Sequence, residues 1–140
     1  MGHLYGFGSE MYKKQISKIN GYVETVISHL KDKGVYDNTY IILTTDHGAQ
    51  FNTTWHGEWN DENIHIPWYI VGPNVKKGYQ INRFVRNADT PSTILDIFGY
   101  PPNENWRGVS VAEVFTSSNL KNYSLNITNS SELRFLYSPK

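Results

Sequence analysis

At 140 residues, with 39% hydrophobic and 14% aromatic side chains, the chain has enough apolar material for one core and one domain. Its 13 basic and 13 acidic side chains cancel, which removes the electrostatic footprint of a nucleic-acid polymer or an anionic membrane as partner. There is no cysteine, excluding disulfides, a thiolate nucleophile and a thiolate zinc site, and no run approaches the roughly 18 apolar residues of a membrane helix, so the chain reads as soluble.

In chain order, Ser9 is placed to cap a helix whose apolar positions Tyr12, Ile16, Ile19, Val23, Val26, Ile27 and Leu30 keep helical spacing until Gly34 stops it. That stripe is expected to be core. A buried strand is predicted from Thr39 to Thr45, then an irregular loop to Asn63. A second strand over Ile66-Pro67-Trp68-Tyr69-Ile70-Val71 closes in the turn Gly72-Pro73-Asn74. A short strand near Gln80 to Val85 precedes a helix opened by Asp89 or Thr90, with Pro91 in its first turn and its end at Gly99. The alternation predicts an α/β fold with part of an open, mostly parallel sheet flanked by helices. Beyond Phe115 a Ser/Asn-rich tail, residues 116–140, has little periodicity and is expected to cross the surface or fray. No internal repeat is visible.

Chemistry is expected at the end of the first strand. Asp46-His47-Gly48 stands there, and open α/β sheets keep their sites at the carboxyl ends of strands. Alone, the tripeptide reads equally as a turn, with Asp46 bonding backbone amides and Gly48 supplying a positive φ. His56-Gly57 follows in a stretch without helical or strand period, and His3 precedes the first helix in Gly2-His3-Leu4-Tyr5-Gly6-Phe7-Gly8-Ser9. Three histidines and an aspartate in loops suit a metal better than a core, and imidazole with carboxylate suits zinc or manganese.

The order Gly2, His3, Gly6, Ser9, Tyr12, a long helix, the stretch from Gly34 to Gly48, a His-Gly and then Ile66 to Pro73 resembles the alkaline phosphatase superfamily, in its phosphodiesterase/nucleotide pyrophosphatase and sulfatase-like branches. The similarity continues from Asp89 to Ser110 through a closing helix, a glycine turn and the segment Trp106-Arg107-Gly108-Val109-Ser110. It implies that residues 1–115 are the C-terminal part of a catalytic domain truncated on its N-terminal side. It also implies hydrolysis of a phosphate ester, with a small-molecule, lipid or nucleotide substrate. Two Zn²⁺ would serve a complete site, with Mn²⁺ or Ca²⁺ as alternatives. Asp46 and His47 would hold the metal that activates the nucleophile, and His3 and His56 the metal beside the leaving group. The nucleophile and remaining ligands are expected upstream of Met1, so no catalytic residue is assigned here and the fragment alone is expected to be inactive.

Two rivals accompany that reading. A sulfatase of the same superfamily would bind one calcium through the Asp-His pair and attack sulfur with a modified Cys or Ser. It usually carries a Lys shortly after its His-Gly, whereas none lies between Gly57 and Ile66. A non-catalytic metal-binding or interaction module is the other. Elsewhere, His29 reads as solvated, His65 as structural and Lys76-Lys77 as a turn face. Trp55, Trp59 and Trp106 read as packing before pocket wall. Glu58, Asp61 and Glu62 read as a solvated loop before ligand-orienting groups. The sequons Asn52-Thr53-Thr54, Asn122-Tyr123-Ser124, Asn126-Ile127-Thr128 and Asn129-Ser130-Ser131 point to a secreted or lumenal glycoprotein whose targeting segment lies upstream.

Overall fold

A computed structural model describes residues 1–116. A short helix, α1 (Gly2–Tyr5), precedes the long α2 (Glu10–Asp32). The Ser9 side chain caps α2, accepting the Tyr12 amide at 3.2 Å, and Gly34 turns the chain at its far end with φ 68°. A 3₁₀ turn, Tyr36–Asn38, leads to β1 (Ile41–Thr44). The loop predicted to be irregular contains one helical turn, α3 (Asp61–Ile64), capped by Asn60. Then come β2 (Trp68–Val71), α4 (Asp89–Ile97) and a second 3₁₀ turn, Ala112–Val114.

The sheet differs from the expected one. β1 and β2 pair antiparallel, Ile41 opposite Val71 and Thr44 opposite Trp68, and no third strand joins them among the described residues. A parallel pair needs a crossover, usually a long helix; the chain between β1 and β2 holds only the four-residue α3, which suits an antiparallel return. Mixed helix and strand is therefore correct, and an open parallel sheet is not what these residues form. The strand expected near Gln80 to Val85 is irregular: Arg83, at its centre, sends its guanidinium to Glu113 and to the Phe84 and Ser110 carbonyls, fixing the segment without a ladder.

The apolar stripe of α2 is not core among these residues. No residue of the helix is buried, and Ile16, Ile19 and Val26 are about half exposed. Its amphipathic spacing is real, but the described residues supply no layer to cover it. Burial is concentrated instead where the chain's end returns. Val111, Val114 and Phe115 are buried against Tyr40, Trp68, Ile70, Val75 and Ile97, with Tyr40 and Phe115 edge to face at 6.2 Å. The Lys76 amide donates to the Val114 carbonyl and the Thr116 amide to that of Asn74, closing a bridge between Val75 and Phe115. Lys76 is thus more than a turn face: its Nζ donates to the Glu113 carbonyl at 2.8 Å.

The segment that closes the fold is held by buried polar groups. Asp89, 1% exposed, accepts the Arg86 amide and guanidinium and the Val109 amide at 2.9–3.0 Å. Burial pushes its carboxyl up, but those amides and the Arg86 guanidinium outweigh it and bring it below the ordinary value of 3.8. Ser92 donates to the Gly108 carbonyl, Thr93 donates to the Asp89 carbonyl and accepts the Val111 amide, and Ser110 donates to Asp96. Gly108 lies so close to α4 that a Cβ would stand 1.8 Å from the Ala88 carbonyl oxygen. The Trp-x-Gly-x-Ser segment is therefore a clamp on α4. Trp106 itself is exposed.

Candidate metal centre

β1 delivers Asp46 and His47 two and three residues beyond its last ladder position, Thr44. Gly48 does not take the positive φ expected of a turn; it is needed for close approach, since its amide donates to the Asn63 carbonyl at 2.8 Å and a Cβ would stand 2.0 Å from the Glu62 carbonyl oxygen. This close approach seats the loop on α3. Glu62 accepts the Phe51 amide at 3.0 Å, so it holds the loop and does not orient an imidazole; among the described residues no side-chain bond joins Glu58 or Asp61 to a histidine ring, and Asp61 meets His65 only through backbone, its carbonyl accepting the His65 amide at 3.0 Å.

The other end of the loop meets the start of the chain. The Phe7 amide donates to the Thr53 carbonyl at 2.7 Å and the Asn52 amide to that of Phe7 at 2.8 Å. Gly2 is buried against the Phe7 ring. His3, expected in a loop, therefore lies within α1 but is docked on the 50s loop.

These contacts gather the four residues singled out in the sequence. His47 and His56 stack with centroids 4.1 Å apart and planes at 23°, and His3 lies 4.9 Å from His56. Asp46 Oδ2 is 3.4 Å from His47 Nε2. His29 is far along α2 and exposed; His65 stacks on Phe84 at 6.3 Å and takes no part. Trp55 and Trp59 are exposed, Trp59 at 94%, so neither is packed as expected.

Tautomers follow from the partners. His47 Nδ1 faces the Gly48 carbonyl at 2.6 Å, and His3 Nδ1 faces the Thr54 carbonyl at 3.1 Å. A carbonyl only accepts, so each Nδ1 carries a proton, and in the neutral ring each Nε2 then presents a lone pair. This is the way metal-binding imidazoles are held by outer groups. The His47 lone pair consequently faces the Asp46 carboxylate, two electron-rich atoms that a shared cation, a proton or a metal ion, would reconcile. Ligands on bonds of roughly 2.1 Å meeting at a tetrahedral angle stand roughly 3.4 Å apart, as do ligands on bonds of roughly 2.4 Å meeting near a right angle. The spacing thus fits zinc and calcium alike. The rings of His47 and His56 lie in planes only 23° apart with centroids at 4.1 Å, a stacked arrangement and not one in which both edges aim at a common point. Accordingly, no group of three or more such side chains is arranged around one ion among the described residues.

One supporting residue had no signal in the sequence. Asn87, just before α4, donates its carboxamide to the carbonyls of Thr45 at 2.9 Å and Asp46 at 2.6 Å. It ties the end of β1 to the clamp, because its neighbour Arg86 is held by Asp89. A lone Asn 41 residues away reads as a helix-start residue and nothing more.

A family model described as Sulfatase matches residues 10–100, a stretch that includes Asp46, His47, His56 and Asn87 but not His3. The chain belongs to the sulfatase family. The resemblance to the alkaline phosphatase superfamily therefore holds. Arylsulfatase K of Xenopus laevis is 30% identical over 120 residues, 84% of this chain and 22% of that protein. The Extracellular sulfatase SULF-1 homolog of Drosophila melanogaster is 35% identical over 101 residues, 69% of this chain and 9% of that protein. N-acetylglucosamine-6-sulfatase of Bos taurus is 33% identical over 90 residues, 61% of this chain and 16% of that protein. The sulfatase-family chain thus spans about a fifth, or less, of the length of these relatives. No solved structure matches it. Within the superfamily, these matches favour the sulfatase branch over the phosphodiesterase branch placed first on sequence grounds.

Proposed function

We propose that this chain contributes a cation-binding half-site to a sulfate-ester hydrolase, with Asp46 and His47 on one side and His3 and His56 on the other. The observation that carries the reading is the Asp46–His47 pair. With Nδ1 committed to the Gly48 carbonyl, its Nε2 and a carboxylate oxygen are left facing at 3.4 Å, a pair that a shared cation would reconcile. Such an ion would supply Lewis acidity toward an ester oxygen. The residues present do the holding: Gly48 fixes the His47 ring, Thr54 fixes that of His3, and Asn87 fixes the strand end.

Two donors on each side fall short of the three protein ligands that catalytic zinc sites hold, so these 140 residues do not turn over an ester alone. In the sulfate reading the cation is calcium, and the location is secreted or lumenal, supported by a relative named as extracellular. The second reading, phosphate-ester hydrolysis with zinc, is favoured by the three imidazoles and by the absence of Lys from Gly57 to Ile66. Imidazole is a poor partner for calcium, which prefers oxygen.

The product of the gene at its relatives' length, assayed beside this chain with nitrophenyl sulfate and bis-nitrophenyl phosphate, decides between them. The sulfate reading expects turnover of the sulfate, lost on chelation and restored by calcium, and reduced at least about 100-fold by His47→Ala. Zinc-restored turnover of the phosphodiester alone would replace it with the second reading. Activity toward neither, with metal bound, would leave a metal-binding module.

A further inference from the structure

The loop between His47 and His56 carries Asn52-Thr53-Thr54, the one Asn-x-Ser/Thr triplet among the described residues; those at Asn122, Asn126 and Asn129 lie outside them. Its three side chains are used very differently. Thr53 is part-buried and fully engaged, its hydroxyl within bonding distance of the Gln50 and Trp55 carbonyls at 3.0 and 3.2 Å and accepting the Trp55 amide at 3.1 Å. Asn52 and Thr54 are exposed, and neither the Asn52 carboxamide nor the Thr54 hydroxyl makes a hydrogen bond among the described residues. The Asn52 backbone holds a left-handed turn, φ 61°, anchored by its amide on the Phe7 carbonyl. Asn is among the few side chains at home in that region. The middle residue thus builds the turn, and the amide and the hydroxyl that a glycosyl acceptor needs are left to solvent.

We propose that Asn52 is an N-glycosylation site on the rim of the histidine cluster, taking an oligosaccharide from a lipid-diphosphate-linked donor. In the transfer, a bond forms between Asn52 Nδ2 and the anomeric carbon of the first sugar as the bond from that carbon to the diphosphate oxygen breaks. The lipid diphosphate leaves with the electron pair, and Nδ2 loses one proton. The glycan would stand four residues before His56 and beside Thr54, whose carbonyl holds His3, narrowing the approach to the cluster from that side. The inference rests on the secreted or lumenal location proposed above and is independent of which ester or cation the site takes.

The test is glycopeptide mass spectrometry of the protein purified from its own cells, with enzymatic deglycosylation in heavy-oxygen water to mark each modified Asn. Expected is a marked Asn52 peptide in most molecules. Asn52→Gln should remove that mark and leave any tail marks unchanged, Thr54→Ala should abolish it, and Thr53→Ala, which keeps the triplet's requirement, should retain it. An unmodified Asn52 peptide in the native protein overturns the proposal, as does a mark that survives Thr54→Ala. Neither result bears on the ester assays, which report on the metal reading alone.

Discussion

The clamp around α4 and the histidine cluster lie on either side of Asn87, and they use polar groups in opposite ways. In the clamp, Asp89, Ser92 and Thr93 are buried and saturated, every one bonded to a backbone or guanidinium partner across at least 16 residues of sequence or within its own turn. In the cluster, Asp46 and His47 are exposed, and the His47 ring nitrogen that is not tied to a carbonyl faces the Asp46 carboxylate at 3.4 Å. A buried polar group left unpaired is costly, so stability demands saturation, whereas chemistry demands atoms that are still available. The difference predicts that substitutions in the clamp change stability and substitutions in the cluster change ligand binding.

The largest effect is expected at Asp89. Asp89→Ala strands the Arg86 and Val109 amides and leaves the Arg86 guanidinium only the Arg107 carbonyl, and should lower unfolding free energy by about 3 kcal/mol in urea titrations. The same residue sets a pH dependence. Its folded-state value lies below the ordinary 3.8, so its contribution is complete above about pH 4 and is lost as pH falls through the folded value. Asp89→Asn should flatten that acid limb of the urea midpoint; an unchanged limb would mean that the stability of the clamp lies elsewhere.

Gly108→Ala comes next. A methyl 1.8 Å from the Ala88 carbonyl forces the clamp off α4, at about 2 kcal/mol by thermal unfolding. A stability unchanged within error would show that the segment does not close the fold.

Asn87 tests the bridge between the two regions. Asn87→Ala removes both bonds to the end of β1 and should cost about 1 kcal/mol. Because Asp46 and His47 sit on that strand end, cation affinity should fall as well, and calorimetric titration with Zn²⁺ or Ca²⁺ reads it directly. Loss of stability with unaltered affinity would make Asn87 a packing residue only.

The smallest stability effect belongs to the cluster itself. His56→Ala, at a half-buried loop position, should leave the unfolding free energy in urea within about 0.5 kcal/mol of the parent while weakening cation binding. A large destabilisation would assign the stack of His56 on His47 and its edge contact with Phe7 to folding, erasing the contrast.

The sequence by itself determined the local elements and the chemical inventory. Ser9 and Gly34 mark the ends of α2, and Asp89, Pro91 and Gly99 mark α4, because caps and turns depend on residues a few positions apart. His3, Asp46, His47 and His56 stood out in the sequence as imidazoles and a carboxylate without a strand or helix period, although His3 lies within α1 and not in a loop. What only the tertiary structure decided is long-range. The antiparallel pairing of β1 with β2 depends on how the loop between them folds, and neither strand's own pattern encodes a partner's direction. The exposure of the α2 stripe depends on which surface covers it, since amphipathic spacing specifies a face and not its occupant. Asn87 reaching Asp46, Ser92 reaching Gly108 and His3 meeting His56 join residues 41, 16 and 53 positions apart. Hydrogen bonds and ring contacts act over a few ångströms of space, and that distance exists only once the chain has closed.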